Sequence, residues 1–338
     1  MINQWRRLFP VFVCLLVCIS CAQIPVEPVP ELYWPLPPEK PRVKFLDLVV
    51  GSIDVTGVRS GKFTHLLLGE EEEISFIKPS FVAVKDNIMY VTDISFIHVF
   101  DFTIKSYKII GNGLLKNATG IAVSKDGSIF VGDSSMAKVY VLNHAGRHIS
   151  TIGAESNFSS LGGIAVDDLT NRLIVSDTKG HKIEVFDLAG KHLFTIGKRG
   201  RDKGEFNFPY AVAVDKESRI YVVDSGNFRV QIFDKDGKFL HTFGSVGAIP
   251  GTFTRPKGIS LDSEGHIYII DSAFGNFQIF DYSGLPLLAV GTNGVMPGQF
   301  TLPIDITLDN NDKIYVVDQM NRRVQIFQYL KETQKEIK

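Results

Sequence analysis

The chain has 338 residues, room for one large domain or two ordinary ones. Lys+Arg 36 against Asp+Glu 37 leaves a net charge of −1, which excludes a generally basic nucleic-acid binder, and Cys 3 excludes a disulfide framework. Hydrophobic residues at 44% with charged residues at 22% are the proportions of a globular protein. In chain order, Trp5-Arg6-Arg7 is a short basic stretch, and residues 8–19 are apolar apart from Pro10. The run stops at Ser20-Cys21-Ala22. A dozen apolar residues fall short of the roughly 20 that a membrane span needs, so residues 1–20 are predicted to be a secretory signal peptide.

Ser20-Cys21 resembles the end of a bacterial lipobox, with Cys18 standing where Leu is usual. The resemblance implies cleavage before Cys21 and lipidation of that cysteine. Cleavage removes Arg6 and Arg7 and no acid, so the balance becomes 34 against 37, or −3. It also removes Cys14 and Cys18, leaving one blocked thiol and excluding cysteine catalysis and cysteine metal sites. Residues 22–42 hold seven of the 15 prolines. Such a segment cannot continue a helix or a ladder, so residues 21–42 are expected to form an extended tether.

The remainder is periodic. A strand ending in Asp recurs at Asp93, Asp133, Asp177, Asp224, Asp271 and Asp318, at intervals of 40, 44, 47, 47 and 47. Each unit carries four short apolar runs separated by turn residues. In the fourth unit these are residues 211–214, 220–223, 230–233 and 239–243. Four strands at this period predict β-propeller blades, so the fold class is all-β, a six-bladed propeller.

Phe208-Pro209-Tyr210-Ala211-Val212-Ala213-Val214-Asp215, followed by Tyr221-Val222-Val223-Asp224-Ser225-Gly226-Asn227-Phe228-Arg229-Val230-Gln231-Ile232-Phe233, resembles the NHL repeat. So does Ile314-Tyr315-Val316-Val317-Asp318-Gln319-Met320-Asn321-Arg322-Arg323-Val324-Gln325-Ile326-Phe327. The resemblance covers residues 79–328, and with the export signal the chain is similar to the bacterial NHL-repeat lipoproteins.

The sixth unit ends after three strands. The run begun by Lys44-Phe45-Leu46 matches Lys238-Phe239-Leu240. Residues 43–50 are therefore expected to supply the outer strand of the last blade, so that no open edge remains. Residues 51–78 are an insert with a short helix expected over 60–73, residues 79–330 the six repeats, and residues 331–338 a polar tail.

The six repeat aspartates read as loop stabilisers, each accepting backbone N–H bonds. Five residues after them stand Lys138, Lys182, Arg229, Asn276 and Arg323, beside His181 and Arg322. The loop before the fourth blade adds Lys198, Arg199 and Arg201. These residues predict a basic, loop-bearing face opposite acidic hairpins, suited to a protein or an anionic polymer. Three long Gly-rich loops, residues 197–209, 244–256 and 291–303, are expected to raise that face on one side. Gly120, Gly163, Ala211 and Gly258 are expected to line the central channel, with Asp305 the one ionisable group in their register. No cofactor is expected, although Asp305 is a candidate for a calcium or other cation.

The expected function is an exported, lipid-anchored, non-catalytic binding or scaffold propeller, monomeric, held to the membrane by its lipid and not binding nucleic acid. The alternative is a metal-dependent hydrolase or lyase resembling the peptide-amidating lyase, a resemblance that implies zinc held by histidines. Of eight histidines, only His98 and His181 fall near the loop-bearing face.

Overall fold

The computed structural model describes residues 31–57, 74–153 and 158–331. Five antiparallel sheets of four strands follow one another along the chain, each with its strands in sequence order. The first comprises Pro79–Lys85, Ile88–Asp93, Phe96–Asp101 and Ser106–Ile110. The next four begin with the inner strands Ala118–Val123, Leu161–Asp167, Pro209–Val214 and Pro256–Leu261. The sixth sheet orders Pro303–Leu308, Lys313–Asp318 and Arg323–Tyr329, then Val43–Val49 and Tyr33–Trp34. The expected N-terminal strand thus closes the ring, with Val43 opposite Tyr329, Phe45 opposite Phe327 and Val49 opposite Val324.

Middle strands such as Ile220–Asp224 are buried at every position because each sheet is covered on both faces by its neighbours. The core therefore lies between blades. Tyr221, Ile232 and Phe253 pack with Ile259, Ile267 and Phe280 of the following blade in one such cluster.

Of the small residues near the axis, Gly163 and Ala211 line a cavity there as expected, and the glycines also let adjacent inner strands touch. A Cβ on Gly120 would stand 2.4 Å from the Gly162 carbonyl oxygen, and one on Gly258 would stand 2.6 Å from Asp305 Cα. Only glycine permits that approach.

The Pro-rich segment differs from a free extended tether over residues 31–42. Tyr33 and Trp34 pair with Lys44 and Val43, and Arg42 N–H donates to the Trp34 carbonyl at 2.7 Å. Trp34 stands edge-on to Phe327, with ring centroids 5.7 Å apart. Pro35 has no N–H and stops the ladder after two residues. A short helix, Ile53–Thr56, lies upstream of the expected one, its Asp54 carboxylate accepting the Val50 and Gly51 N–H groups. The segment expected to be helical, residues 60–73, lies outside the described residues, as do the signal segment, Cys21 and residues 332–338.

Candidate functional site at the channel mouth

Loops between second and third strands share one face with the loops joining blades. The six repeat aspartates sit beneath that face, all fully buried. Each reaches the backbone just before its own blade's inner strand. Asp93 accepts N–H bonds from Ile77 and Lys78 at 2.6 and 2.7 Å, and Asp271 accepts them from Thr254 and Arg255. Asp133, Asp177, Asp224 and Asp318 do the same with Lys116, Ser159, Asn207 and Thr301. They are spaced around the ring as loop anchors, and no two converge on one site.

The expected basic face is partly spent inside the molecule. Arg229 binds Asp224 at 2.8 Å and donates to the Asp202 and Glu205 carbonyls. Arg323, buried, binds Asp318 and donates to the carbonyls of Val295, Met296 and Gln299. These arginines brace long inter-blade loops. Burial nevertheless holds Asp224 and Asp318 above the ordinary carboxylate value. Lys182 pairs with Glu184 and Lys198 with Glu205. Asn276 is half-buried, and Lys138 stands half-buried at the start of its strand. Arg199, Arg201 and Arg322 remain exposed.

The three long loops share one construction. The buried rings of Phe206, Phe253 and Phe300 plug their bases. The side-chain carbonyls of Gln231, Gln278 and Gln325 accept N–H bonds from Gly204, Gly251 and Gly298, each at 2.9 Å. The same amides donate to the Glu205, Thr252 and Gln299 carbonyls. The sequence signal was the Gln in each Val-Gln-Ile-Phe or Phe-Gln-Ile-Phe strand. The loops are rigid walls over blades four to six, and apolar side chains crown them. Nine of the eighteen exposed large apolar residues among the described residues lie on this face, including Phe208, Val246, Ile249, Val295, Met296 and Met320.

Inside the crown is a cup of about 530 Å³, lined by Lys78, Ser80, Asn117, Thr119, Arg255, Lys257, Ser272 and Gln319 among others. Its floor is aromatic. Phe81 of the first blade and Tyr210 of the fourth stack at 5.6 Å between centroids, 19° apart in plane. Blades one and four face each other across a six-membered ring, so the pair bridges the axis. A second cavity of about 350 Å³ lies on the far side, lined by Phe81, Asp305 and the lower parts of the inner strands. Lys257 Nζ sits 3.7 Å from the Tyr210 ring centroid. Burial pushes Lys257 down to about 8, with Arg255 adding repulsion. Lys78, Arg255 and Lys257 have no ion-pair partner among the described residues. The residues after each inner-strand proline or its equivalent form this ring: Ser80, Thr119, Gly162, Tyr210, Lys257 and Ile304. Sequence reasoning took the register one place later and missed Lys257.

Asp305 does not suit the cation expected of it. It is 7% exposed, accepts the Val82 N–H at 2.9 Å, and burial pushes it up to about 8. At pH 7 it is a neutral acid. Among the described residues, the one group of three metal-ligating side chains is Asp262, Glu264 and His266 in an opposite-face turn. There His266 is bonded to Asp262, and Tyr329 to Glu264. The two histidines near the loop face are engaged separately. His98 is buried between Asp93 and Tyr107, and His181 Nδ1 accepts the Phe208 N–H.

Residues 157–227, 210–277 and 263–337 match the 6-bladed beta-propeller family, together more than half of the chain, and the protein belongs to that family. Solved structures similar to it include a structural genomics protein of unknown function from Bacteroides thetaiotaomicron, 18% identical with a TM-score of 0.61, over 75% of this chain and 70% of that one. An auxiliary nutrient binding protein from the same organism is 14% identical with a TM-score of 0.60, over 76% and 70% of the two chains. A catalytically inactive virginiamycin B lyase from Staphylococcus aureus with quinupristin is 12% identical with a TM-score of 0.55, over 75% and 95%. At these identities the likeness is one of fold. No curated protein matches the chain.

Proposed function

We propose that the protein is a non-catalytic binding propeller of the NHL-repeat lipoprotein kind, exported, anchored through Cys21, and holding a protein partner on its loop-bearing face. The observation that carries the reading is the apolar crown on the long loops around a cup with three cations that have no ion-pair partner among the described residues. Exposed apolar patches rimmed by polar groups mark interaction sites. The Ile, Val and Met side chains favour a protein over a polysaccharide, whose hydroxylated surface gives them little to contact. The solved nutrient binding protein of similar fold is consistent with a binding role.

The test uses the full-length lipoprotein in its own envelope with site-specific crosslinking. A partner crosslinked by wild type and by an outer-wall variant, Leu193→Ser, but lost in Ile249→Asp/Met296→Asp, supports the reading. A yield equal in all three removes it. Salt-sensitive binding of polygalacturonate that survives the crown variant would instead make an anionic polymer the ligand. Cys21→Ser should abolish incorporation of labelled fatty acid and release the protein from membranes; unchanged labelling would end the lipoprotein reading.

A further inference from the structure

We propose that the blind cup seats a single carboxylate, the acidic group of a protein segment lying across the crown, with the Lys257 ammonium as counter-ion. The inference rests on the binding reading above and adds the chemistry of the anchor.

Two observations converge. First, the cup ends at the Phe81–Tyr210 bar, so a group entering from the loop face stops there, and about 530 Å³ is the scale of a small-ligand site. Second, the half-buried Lys257 has no counter-ion among the described residues. The carboxylates beneath the rim are occupied: Asp93 by the Ile77 and Lys78 N–H groups, and Asp271 by those of Thr254, Arg255 and Ala273. Asp305 lines the cavity across the bar and carries a proton at pH 7. A desolvated cation without a partner is costly, and an incoming anion relieves that cost. One buried positive charge balances one negative charge, which selects a carboxylate over a phosphate dianion. Lys78 and Arg255 are exposed at the rim and steer the acid inward.

The charged and titratable groups facing Lys257 are Arg255 and Lys78 on the rim, Tyr210 beneath it, and Asp305 across the bar. A bound carboxylate favours the charged amine, so binding takes up protons around pH 8 and weakens as pH rises beyond it. Ionisation of Asp305 falls in the same range and acts in the same direction, so Asp305→Asn separates the two.

The probe is N-acetyl-leucine, a carboxylate on an apolar body, followed by NMR on the full chain beside its neutral analogue N-acetyl-leucinamide. The acid should bind at least about tenfold more tightly than the amide, and Lys257→Met should remove that preference. Affinity should fall about tenfold between pH 7 and pH 9 in wild type and in Asp305→Asn. Equal binding of acid and amide, undiminished binding by a folded Lys257→Met, or tighter binding of inorganic phosphate would overturn the assignment. Acid binding intact beside a failed crown crosslink would remove the protein partner and leave the carboxylate seat. A crown-dependent crosslink unaffected by Lys257→Met would do the reverse.

Discussion

Asp305→Asn should stabilise the protein, and increasingly so as pH rises. The carboxyl is 7% exposed, and burial lifts it from an ordinary 3.8 to about 8, against the opposing pull of the Val82 and Ile306 N–H groups. Between those values the folded state holds a proton that the unfolded state has released. Unfolded chains then bind fewer protons than folded ones, so stability falls with rising pH across this window. At ~1.4 kcal/mol per pH unit the displacement is worth about 6 kcal/mol in full and about 5 kcal/mol by pH 8. Asparagine copies the shape of the neutral acid, keeps an oxygen for the Val82 N–H, and has no ionisation to suppress. The two proteins should melt alike near pH 4 and diverge up to pH 8. There the variant should melt higher by on the order of 10 °C for a domain of this size. Thermal unfolding by circular dichroism at pH 4, 6 and 8 measures the difference, in which groups common to both proteins cancel. A pH-independent difference would refute the buried neutral acid.

Trp34→Ala should lower the denaturant midpoint by an amount equivalent to about 2 kcal/mol, since the ring is half-buried against Phe327; an unchanged midpoint would mean that residues 31–42 add nothing to the sixth blade. Gln278→Ala should leave the global midpoint nearly unchanged while speeding proteolytic cleavage within residues 244–256, because the Gly251 N–H and the Thr252 carbonyl both lose their partner. Limited proteolysis with mass mapping would show it, and cleavage at the wild-type rate would contradict the wall's dependence on that amide. His266 is raised above its ordinary 6.5 chiefly by its bond to Asp262. The stabilisation it gives is present below pH 6.5 and lost as pH climbs through the raised value. His266→Gln should therefore cost stability at pH 5.5 and not at pH 9, and a constant cost would argue against the charged pair.

The ring was readable from the chain because every blade repeats its turn chemistry. The loop aspartates recur, and Lys44-Phe45-Leu46 repeats an outer-strand phrase that sets the closing strand. The site was less readable for local reasons. Arg229 and Arg323 have the composition of a basic surface, but each follows its aspartate by five residues and is placed beside it across the hairpin. Burial within loops was hidden too. Phe253 and Ile249 belong to one loop, and nothing in their apolar character says that the first is fully buried and the second 69% exposed. Proline density concealed Tyr33 and Trp34, whose pairing needs only two residues. Lys257 was visible as the one cation in its column, Ser80, Thr119, Gly162, Tyr210 and Ile304 being the others.

The closing strand also governs the order in which the protein is completed. Blades one to five are each built from contiguous chain and need no distant residue for their ladders. The sixth joins Val43 to Tyr329, so it cannot form until nearly the whole polypeptide is available. Until then Val43 and Phe45 have no sheet to enter. A chain truncated before Arg323 would carry five sound blades and an unsatisfied seam, so intact length is itself a requirement for closure.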